Sequence, residues 1–256
     1  MRSSSTLARL AIAAVALALM LVPASRVDAS GEPPLRVLFL GNSLTFVHGG
    51  LDQLTMRMAQ EMGETRPLDF TRVAVGGFAL EDHWLHGPSR DAIATGGPWD
   101  WVVLQEQSGR TITAPQNFAI HAALLDAEIR AAGARTMFFL TWARGDDLAA
   151  QTTITAAICA AADALGAAVV PAGLAWAHAP SVNPNLNLDD CDAVHPSDQG
   201  AFLNGLVFFR TLFERDPSGM PWNLSPLVQV TAWQATALET VATSAPDRCP
   251  FVAEVF

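Results

Sequence analysis

The apolar positions of this chain alternate between short continuous runs and longer stretches with helical spacing. Residues 35–40 form a continuous apolar run closed by Gly41, which is typical of a strand buried on both faces. Between Leu51 and Met62 the apolar residues recur at three- and four-residue spacing, and this predicts an amphipathic helix that ends at Gly63. Similar short runs predict four more strands, at residues 70–75, 101–105, 136–141 and 167–171.

Helix-sized segments, such as residues 117–133 and 148–165, separate the predicted strands. This alternation predicts an α/β fold in which helices cover both faces of one parallel sheet. Because the sequence contains no repeat, low-complexity tract or linker after residue 34, we expect residues 30–256 to form a single domain. In such sheets, ligands bind beyond the carboxyl ends of the strands, so the residues that follow each strand are the candidates for function.

The N-terminal segment has the features of a secretory signal peptide. Two arginines, Arg2 and Arg9, precede an apolar stretch at residues 10–22 that is too short to span a bilayer comfortably. Small residues favour cleavage after Ala29, with Ala24 as the alternative, and an uncleaved membrane anchor is the competing interpretation. We therefore expect residues 1–29 to be removed from a secreted or periplasmic protein that has no stable membrane association afterwards.

The charge composition narrows the possible chemistry. All fifteen basic residues are Arg, and the chain has neither Lys nor Tyr, which excludes Schiff-base chemistry, a P-loop lysine and a tyrosine general acid. The net charge is −10 and becomes −12 once residues 1–29, with three arginines and one aspartate, are removed. Such an acidic protein is not expected to bind nucleic acid or an anionic membrane.

Three cysteines are present, and export to an oxidising compartment would permit a disulfide. Cys159 lies in a helical pattern where a buried free thiol is the ordinary expectation. This leaves Cys191 and Cys249 as the preferred pair, with three free thiols as the alternative.

Two strand-end segments carry the residues of a nucleophilic hydrolase. Ser43 lies on a tight turn directly after the first predicted strand, where its hydroxyl and the nearby backbone N–H groups would be exposed. Asp192 and His195 are three residues apart, so in a turn or helix the carboxylate can orient the imidazole, and Pro196 leaves His195 on a loop. The order Ser, Asp, His is that of a catalytic triad, but the Gly-x-Ser-x-Gly motif of the α/β-hydrolases is absent.

The Gly41-Asn42-Ser43-Leu44 and Asp192-Ala193-Val194-His195 segments resemble the first and last sequence blocks of the SGNH hydrolases, also called GDSL-type esterases and lipases. The resemblance extends from residue 35 to about residue 213, with Asn42 in place of the usual Asp. It implies a flavodoxin-like three-layer α/β/α sandwich in which Ser43 attacks an ester, His195 is the general base and Asp192 positions His195.

The resemblance also implies an oxyanion hole built from the backbone N–H groups of Ser43 and Gly77 and from a third side-chain amide. Gly76 is the alternative to Gly77. The family normally places an Asn after the third strand, but this chain has Gln105-Glu106-Gln107-Ser108 there. A Gln amide can donate the same hydrogen bond, so Gln105 is the preferred donor and Gln107 the alternative.

The sequence therefore predicts an exported serine esterase that hydrolyses an ester, with an O-acyl or O-acetyl group on a carbohydrate or small molecule as the expected substrate. No cofactor is expected, and no metal site, because the pair His83 and His86 lacks further matched ligands. Two alternatives remain. One is a carbohydrate-binding protein on an inactive SGNH scaffold, and the other is an O-acyltransferase.

Overall fold

The structure, a computed structural model, describes residues 31–86 and 88–250. The centre of the fold is a parallel sheet with the strand order β2-β1-β3-β4-β5. The strands are β1 (Leu35–Gly41), β2 (Leu68–Ala74), β3 (Trp101–Leu104), β4 (Arg135–Phe139) and β5 (Ala168–Val170). This arrangement confirms the predicted α/β fold and places β1 between β2 and β3.

Helices connect successive strands, as parallel pairing of neighbouring strands requires. The helices are α1 (Ser43–Phe46), α2 (Leu51–Glu61), α3 (Leu80–Leu85), α4 (Pro88–Thr95), α5 (Arg110–Thr113), α6 (Pro115–Ala131), α7 (Gln151–Leu165), α8 (Ala172–Val182), α9 (Asp198–Phe213) and α10 (Ala232–Ser244). A single 3-10 turn at Leu148–Ala150 precedes α7, and a small antiparallel hairpin, β6 (Asn223–Leu224) and β7 (Val228–Gln229), lies between α9 and α10.

The alternating side chains of β1 enter two separate apolar cores, one on each face of the sheet. Phe39 packs against Phe208 of α9, with ring centroids 5.7 Å apart, in the core that also contains residues of α2, α8 and α10. Leu38 and Leu40 point the other way, into a core formed with α6 and α7. The continuous apolar run in β1 therefore reflects burial on both faces, and the fold is a three-layer α/β/α sandwich.

The carboxyl ends of the three neighbouring strands are level. In the sheet register, Leu40 of β1 pairs with Val73 of β2 on one side and with Leu104 of β3 on the other. Because these strands are parallel, the loops that follow them emerge at the same edge of the sheet. The residues after β1, β2 and β3 are therefore neighbours in space.

The disulfide differs from the predicted one. Cys159 of α7 is bonded to Cys249, with Cα atoms 5.7 Å apart, whereas Cys191 is exposed and free. The predicted Cys191–Cys249 pair is therefore wrong. Cys159 is indeed buried, but the segment after α10 passes close to α7, so the buried sulfur has a partner 90 residues away.

The predicted signal peptide, residues 1–29, lies outside the described residues, as do residues 251–256.

Candidate active site

Ser43 is the first residue of α1 and follows the carboxyl end of β1 after a single intervening residue, Asn42. It is half-buried, and its backbone N–H donates no hydrogen bond within the described part of the chain. The first N–H groups of a helix have no partner inside the helix, so this N–H is free to bind an oxygen of a ligand. The structure thus presents a hydroxyl and an unpaired N–H donor at the same residue.

Asn42 connects the Ser43 turn with the loop after β2. Its buried side chain accepts from the Leu44 backbone N–H over 3.1 Å, capping α1, and its amide nitrogen donates to the Phe78 carbonyl over 2.8 Å. An Asp at this position would have no hydrogen to donate to that carbonyl at neutral pH. The Asn in this chain therefore holds the predicted oxyanion loop next to the predicted nucleophile.

That loop contains Gly76 and Gly77, both of which are exposed. Gly77 has φ +77°, a left-handed conformation that favours glycine, and no atom lies within 4 Å of an added Cβ. Its backbone N–H makes no hydrogen bond with any described residue. The structure therefore leaves the Gly77 N–H unpaired on the strand-end surface, and the choice between Gly77 and Gly76 as donor stays a prediction.

Gln105 does not occupy the position expected of a substrate-binding amide. Its side chain is fully buried, and Oε1 accepts from the Asn42 backbone N–H and from the Thr45 hydroxyl, each over 2.9 Å. Its amide nitrogen donates to the Glu106 carbonyl over 2.5 Å. Gln105 is fully buried and both ends of its amide have partners in the protein, so the structure argues against the prediction that it donates to the substrate oxyanion; its amide instead supports the Ser43 turn.

The alternative, Gln107, is partly exposed. Its Oε1 accepts from the Gly109 backbone N–H over 2.9 Å, whereas its amide nitrogen makes no hydrogen bond with any described residue. An anchored oxygen and a free NH₂ are the features of a side chain that can donate to a ligand. The geometry therefore favours Gln107 over Gln105.

The space around Gly41, two residues before Ser43, is too small for a side chain. A Cβ at this position would clash with Oγ1 of Thr45 and would lie 2.6 Å from Oε1 of Gln105. The Gly41 carbonyl lies 2.9 Å from Nε2 of His83, and Nδ1 of the same ring lies 2.6 Å from the Ser89 hydroxyl. Since burial lowers the pKa of His83, the neutral ring donates to the Gly41 carbonyl and accepts from the Ser89 hydroxyl.

Asp192 and His195 are in direct contact, as their spacing predicts. Nδ1 of His195 lies 2.5 Å from Oδ2 of Asp192, and Oδ1 of Asp192 accepts the backbone N–H groups of Val194 and His195, each over 2.9 Å. The hydrogen bond with the His195 side chain is the main reason that the pKa of Asp192 lies well below its usual range, and the two backbone N–H donors lower this pKa further. The carboxylate therefore fixes the orientation of the imidazole, and Nε2 of His195 has no hydrogen-bond partner among the described residues.

The loop that carries His195 rests on a pair of stacked tryptophans. The indole N–H of Trp142 donates to the Val194 carbonyl over 3.2 Å, and Trp142 stacks on Trp176 with ring centroids 4.0 Å apart. Both rings are buried. The residue that precedes His195 is thus bound to a buried side chain of the core.

Glu106 is a second buried titratable group at this edge of the sheet. Its Oε1 accepts from the backbone N–H groups of Leu80 and Gln107, over 3.3 Å and 2.6 Å, while Oε2 is buried without a partner. Burial raises the pKa of Glu106 to about 7. This carboxyl group joins the loop after β3 to the start of α3.

Sequence reasoning missed the structural roles of Thr45, His83 and Glu106. Each of them has a partner 26 to 60 residues away along the chain, and no local pattern indicates these long-range contacts. Among the described residues, no group of three or more His, Cys, Asp or Glu side chains is placed to hold a metal ion.

Neither a protein-family model nor a curated protein matches this sequence. Solved structures do match. A candidate SGNH hydrolase from Slackia heliotrinireducens is 28% identical and covers 70% of this chain and 99% of its own, with a TM-score of 0.58. A DUF4886 family protein from Bacteroides uniformis is 19% identical over 86% of this chain and 99% of its own, with a TM-score of 0.67. An acetyl xylan esterase is 16% identical over 70% of this chain and 100% of its own, with a TM-score of 0.60.

Proposed function

Because the chain has the fold of the SGNH hydrolases, the family that its structural matches support, we propose that it is an exported serine esterase. The observation that carries this proposal is the Asp192–His195 hydrogen bond on a loop that also contacts His48, five residues after Ser43, through the Pro196 carbonyl. An imidazole oriented by a carboxylate near a strand-end serine is the arrangement needed to activate that hydroxyl as a nucleophile.

In the proposed reaction, the Ser43 oxygen attacks the ester carbonyl carbon while Nε2 of His195 takes the hydroxyl proton. The backbone N–H groups of Ser43 and Gly77, with the Gln107 amide as a third donor, bind the negative oxygen of the tetrahedral intermediate. The intermediate expels the alcohol, which receives the proton from His195. A water molecule, activated in turn by His195, then releases the acid from Ser43 and restores the enzyme.

The substrate class we propose is an O-acyl or O-acetyl ester of a carbohydrate or another small molecule. The similar fold of an acetyl xylan esterase supports this class. The acidity of the chain adds a physical reason, since a net charge of −10 disfavours anionic substrates and leaves neutral esters as the better fit.

Export of the protein is part of the proposal. The signal-like sequence of residues 1–29 supports it, and so does the Cys159–Cys249 bond, because stable disulfides are typical of oxidising compartments. N-terminal sequencing of the protein recovered outside the cytoplasm is expected to begin at Ser30.

The catalytic proposal is tested by hydrolysis of p-nitrophenyl acetate and by labelling with a fluorophosphonate. The wild-type protein is expected to do both, whereas Ser43→Ala and His195→Ala should each reduce kcat by about 10³-fold or more. Ser181 and His178 of α8 provide a matched control, since their side chains are 3.1 Å apart and the other ring nitrogen of His178 contacts Ser244. Ser181→Ala and His178→Ala should retain wild-type turnover.

A wild-type protein that hydrolyses no short ester and takes up no fluorophosphonate would overturn the enzyme proposal and favour the carbohydrate-binding alternative. Product analysis with and without an acceptor sugar separates hydrolysis from acyl transfer. Hydrolysis predicts free acetate in both cases, whereas transfer predicts an acetylated sugar that forms only when the acceptor is present.

A further inference from the structure

The imidazole of His48 joins the segment that carries Ser43 to the segment that carries His195. His48 follows α1 and lies five residues after Ser43. Its Nε2 is 2.8 Å from the carbonyl oxygen of Pro196, and its Nδ1 is 3.0 Å from Oδ1 of Asp198, the first residue of α9. The ring thus contacts the residue directly after His195 and the helix that begins three residues after His195.

Both of these partners are oxygens that accept hydrogen bonds, because a backbone carbonyl and an ionised carboxylate have no hydrogen to donate. A ring nitrogen that carries a hydrogen therefore donates to the oxygen it faces, either the Pro196 carbonyl or the Asp198 carboxylate. Among the described residues, no other titratable side chain forms a hydrogen bond or an ion pair with this ring.

The backbone conformation at position 48 does not by itself require a side chain. His48 has φ +53°, and the next two residues, Gly49 and Gly50, have φ +76° and +107°. A left-handed backbone is unfavourable for a residue with a Cβ and costs nothing for glycine. Glycine would therefore suit the turn at position 48 as it does at the next two positions, so what the histidine adds is its imidazole.

The two segments that the imidazole joins have no sequence proximity, since His48 and Pro196 are 148 residues apart. Hydrogen bonds of Asn42, one of them to Gln105, hold the turn that carries Ser43. The Asp192 carboxylate holds the ring of His195. Neither set of contacts sets the distance between the two segments. The His48 contacts link the two segments directly.

We propose that His48 is a positioning residue that holds the His195 loop at the correct distance from Ser43. It does not touch the reacting atoms. This inference rests on the proposed serine esterase function, and it assigns the Pro196 carbonyl as the contact through which His48 acts on His195.

The test is a graded series of variants assayed on p-nitrophenyl acetate. His48→Gly keeps a backbone suited to the left-handed turn and removes both side-chain contacts, so kcat should fall roughly 10- to 100-fold, the effect of a misplacement of about 1 Å, with KM within about twofold of wild type. His48→Gln places an amide NH₂ near the position of Nε2, so it should keep the bond to Pro196 and recover most of the lost kcat. His178→Ala, the loss of a histidine on α8, should leave kcat unchanged.

Wild-type kcat in His48→Gly would overturn the proposal, and so would an equal loss in His178→Ala, since that would indicate a general effect of losing a histidine. A His48→Gln variant no faster than His48→Gly would overturn the assignment of the Pro196 carbonyl. A change confined to KM would also contradict a positioning role.

A second readout separates this inference from the esterase proposal. The hydrogen shared by His195 and Asp192 gives a downfield proton resonance in NMR spectra when their contact is well ordered. If the wild-type protein hydrolyses no ester, the esterase proposal fails, while broadening of this resonance in His48→Gly but not in His178→Ala still shows that His48 orders the His195 loop. An unchanged resonance together with unchanged kcat removes the inference and leaves the esterase proposal intact.

Discussion

The backbone N–H of Asn42 donates to Oε1 of Gln105 over 2.9 Å, 63 residues away in the sequence. The same oxygen accepts the Thr45 hydroxyl, so one buried amide holds the residues on both sides of Ser43. A glutamine that follows the third strand thus supports the strand-end turn instead of facing the solvent. We therefore expect substitutions of Gln105 and Gln107, the two glutamines of the loop after β3, to have different effects on stability and turnover.

Gln105→Ala is expected to destabilise the protein by about 3 kcal/mol, since it leaves a buried N–H and a buried hydroxyl without an acceptor. Turnover should fall as well, because the Ser43 turn loses its support. Chemical denaturation measures the first effect and p-nitrophenyl acetate hydrolysis the second. A Gln105→Ala protein with wild-type stability would contradict the buried role.

Gln107→Ala should show the opposite pattern. Its side chain is partly exposed and has one hydrogen bond, from the Gly109 N–H, so the free energy of unfolding should change by less than about 1 kcal/mol. If its free NH₂ binds the oxyanion, kcat should fall about 10²- to 10³-fold with little change in KM. Unaltered kcat would leave the oxyanion hole with the backbone donors of Ser43 and Gly77 alone.

Gly41→Ala is expected to cost about 2 kcal/mol or more in stability. The added Cβ would clash with Oγ1 of Thr45 and approach Oε1 of Gln105 to 2.6 Å, and both atoms are fixed by their own hydrogen bond. Gly63→Ala is the matched control. It has no atom within 4 Å of its added Cβ but has φ +76°, so its cost of about 1 kcal/mol comes from the backbone alone. Equal effects in thermal denaturation would argue against the packing explanation.

Glu106 is expected to make stability fall as pH rises. Folding raises the pKa of this carboxyl from its ordinary value of 4.5 to about 7, so the folded state favours the protonated form. Its contribution is complete below pH 4.5 and is lost progressively up to pH 7, by at most roughly 3 kcal/mol. Glu106→Gln cannot ionise, so it should resemble wild type at pH 4.5 and be the more stable protein at pH 8. If the free energies of unfolding of wild type and Glu106→Gln differ by the same amount at both pH values, the pKa of Glu106 is not raised.

The disulfide predicts a different response from each cysteine. Cys249→Ala removes the bond to Cys159 and should lower stability by about 2–4 kcal/mol, whereas Cys191→Ala, at an exposed free thiol, should have little effect. Alkylation of the unreduced, denatured protein should modify one cysteine. Modification of three would show that no bond forms.

The fold was largely predictable from the sequence because the central strands β1, β3 and β4 are buried on both faces. A run such as residues 35–40 has few interpretations, and the observed β1 differs from it only by including Gly41. The short helices α3 and α4 were not predicted, since their few turns offer too little apolar periodicity. Pro180 lies inside α8, which shows that a proline does not always end a helix.

The site was predictable only where its contacts are local. Asp192 and His195 are three residues apart, so their spacing alone predicts their contact. The buried position of Gln105 depends on contacts with Asn42 and Thr45, which are 63 and 60 residues away in the sequence. The position of a residue at the end of a strand does not distinguish a buried amide from an exposed one. The cysteine pairing failed for the same reason, because the helical pattern around Cys159 indicates burial and says nothing about the segment that reaches it.

The Cys159–Cys249 bond closes a covalent ring that contains α8, the His195 loop, α9 and α10, while Ser43 lies outside it. A single proteolytic cut inside this ring cannot release a fragment from the oxidised protein. A cut in the exposed segment around Asn185, for example, would leave both pieces attached, with His195 still linked to α7 through the tail. The bond thus keeps the segment that carries His195 covalently attached to the rest of the protein after such a cut.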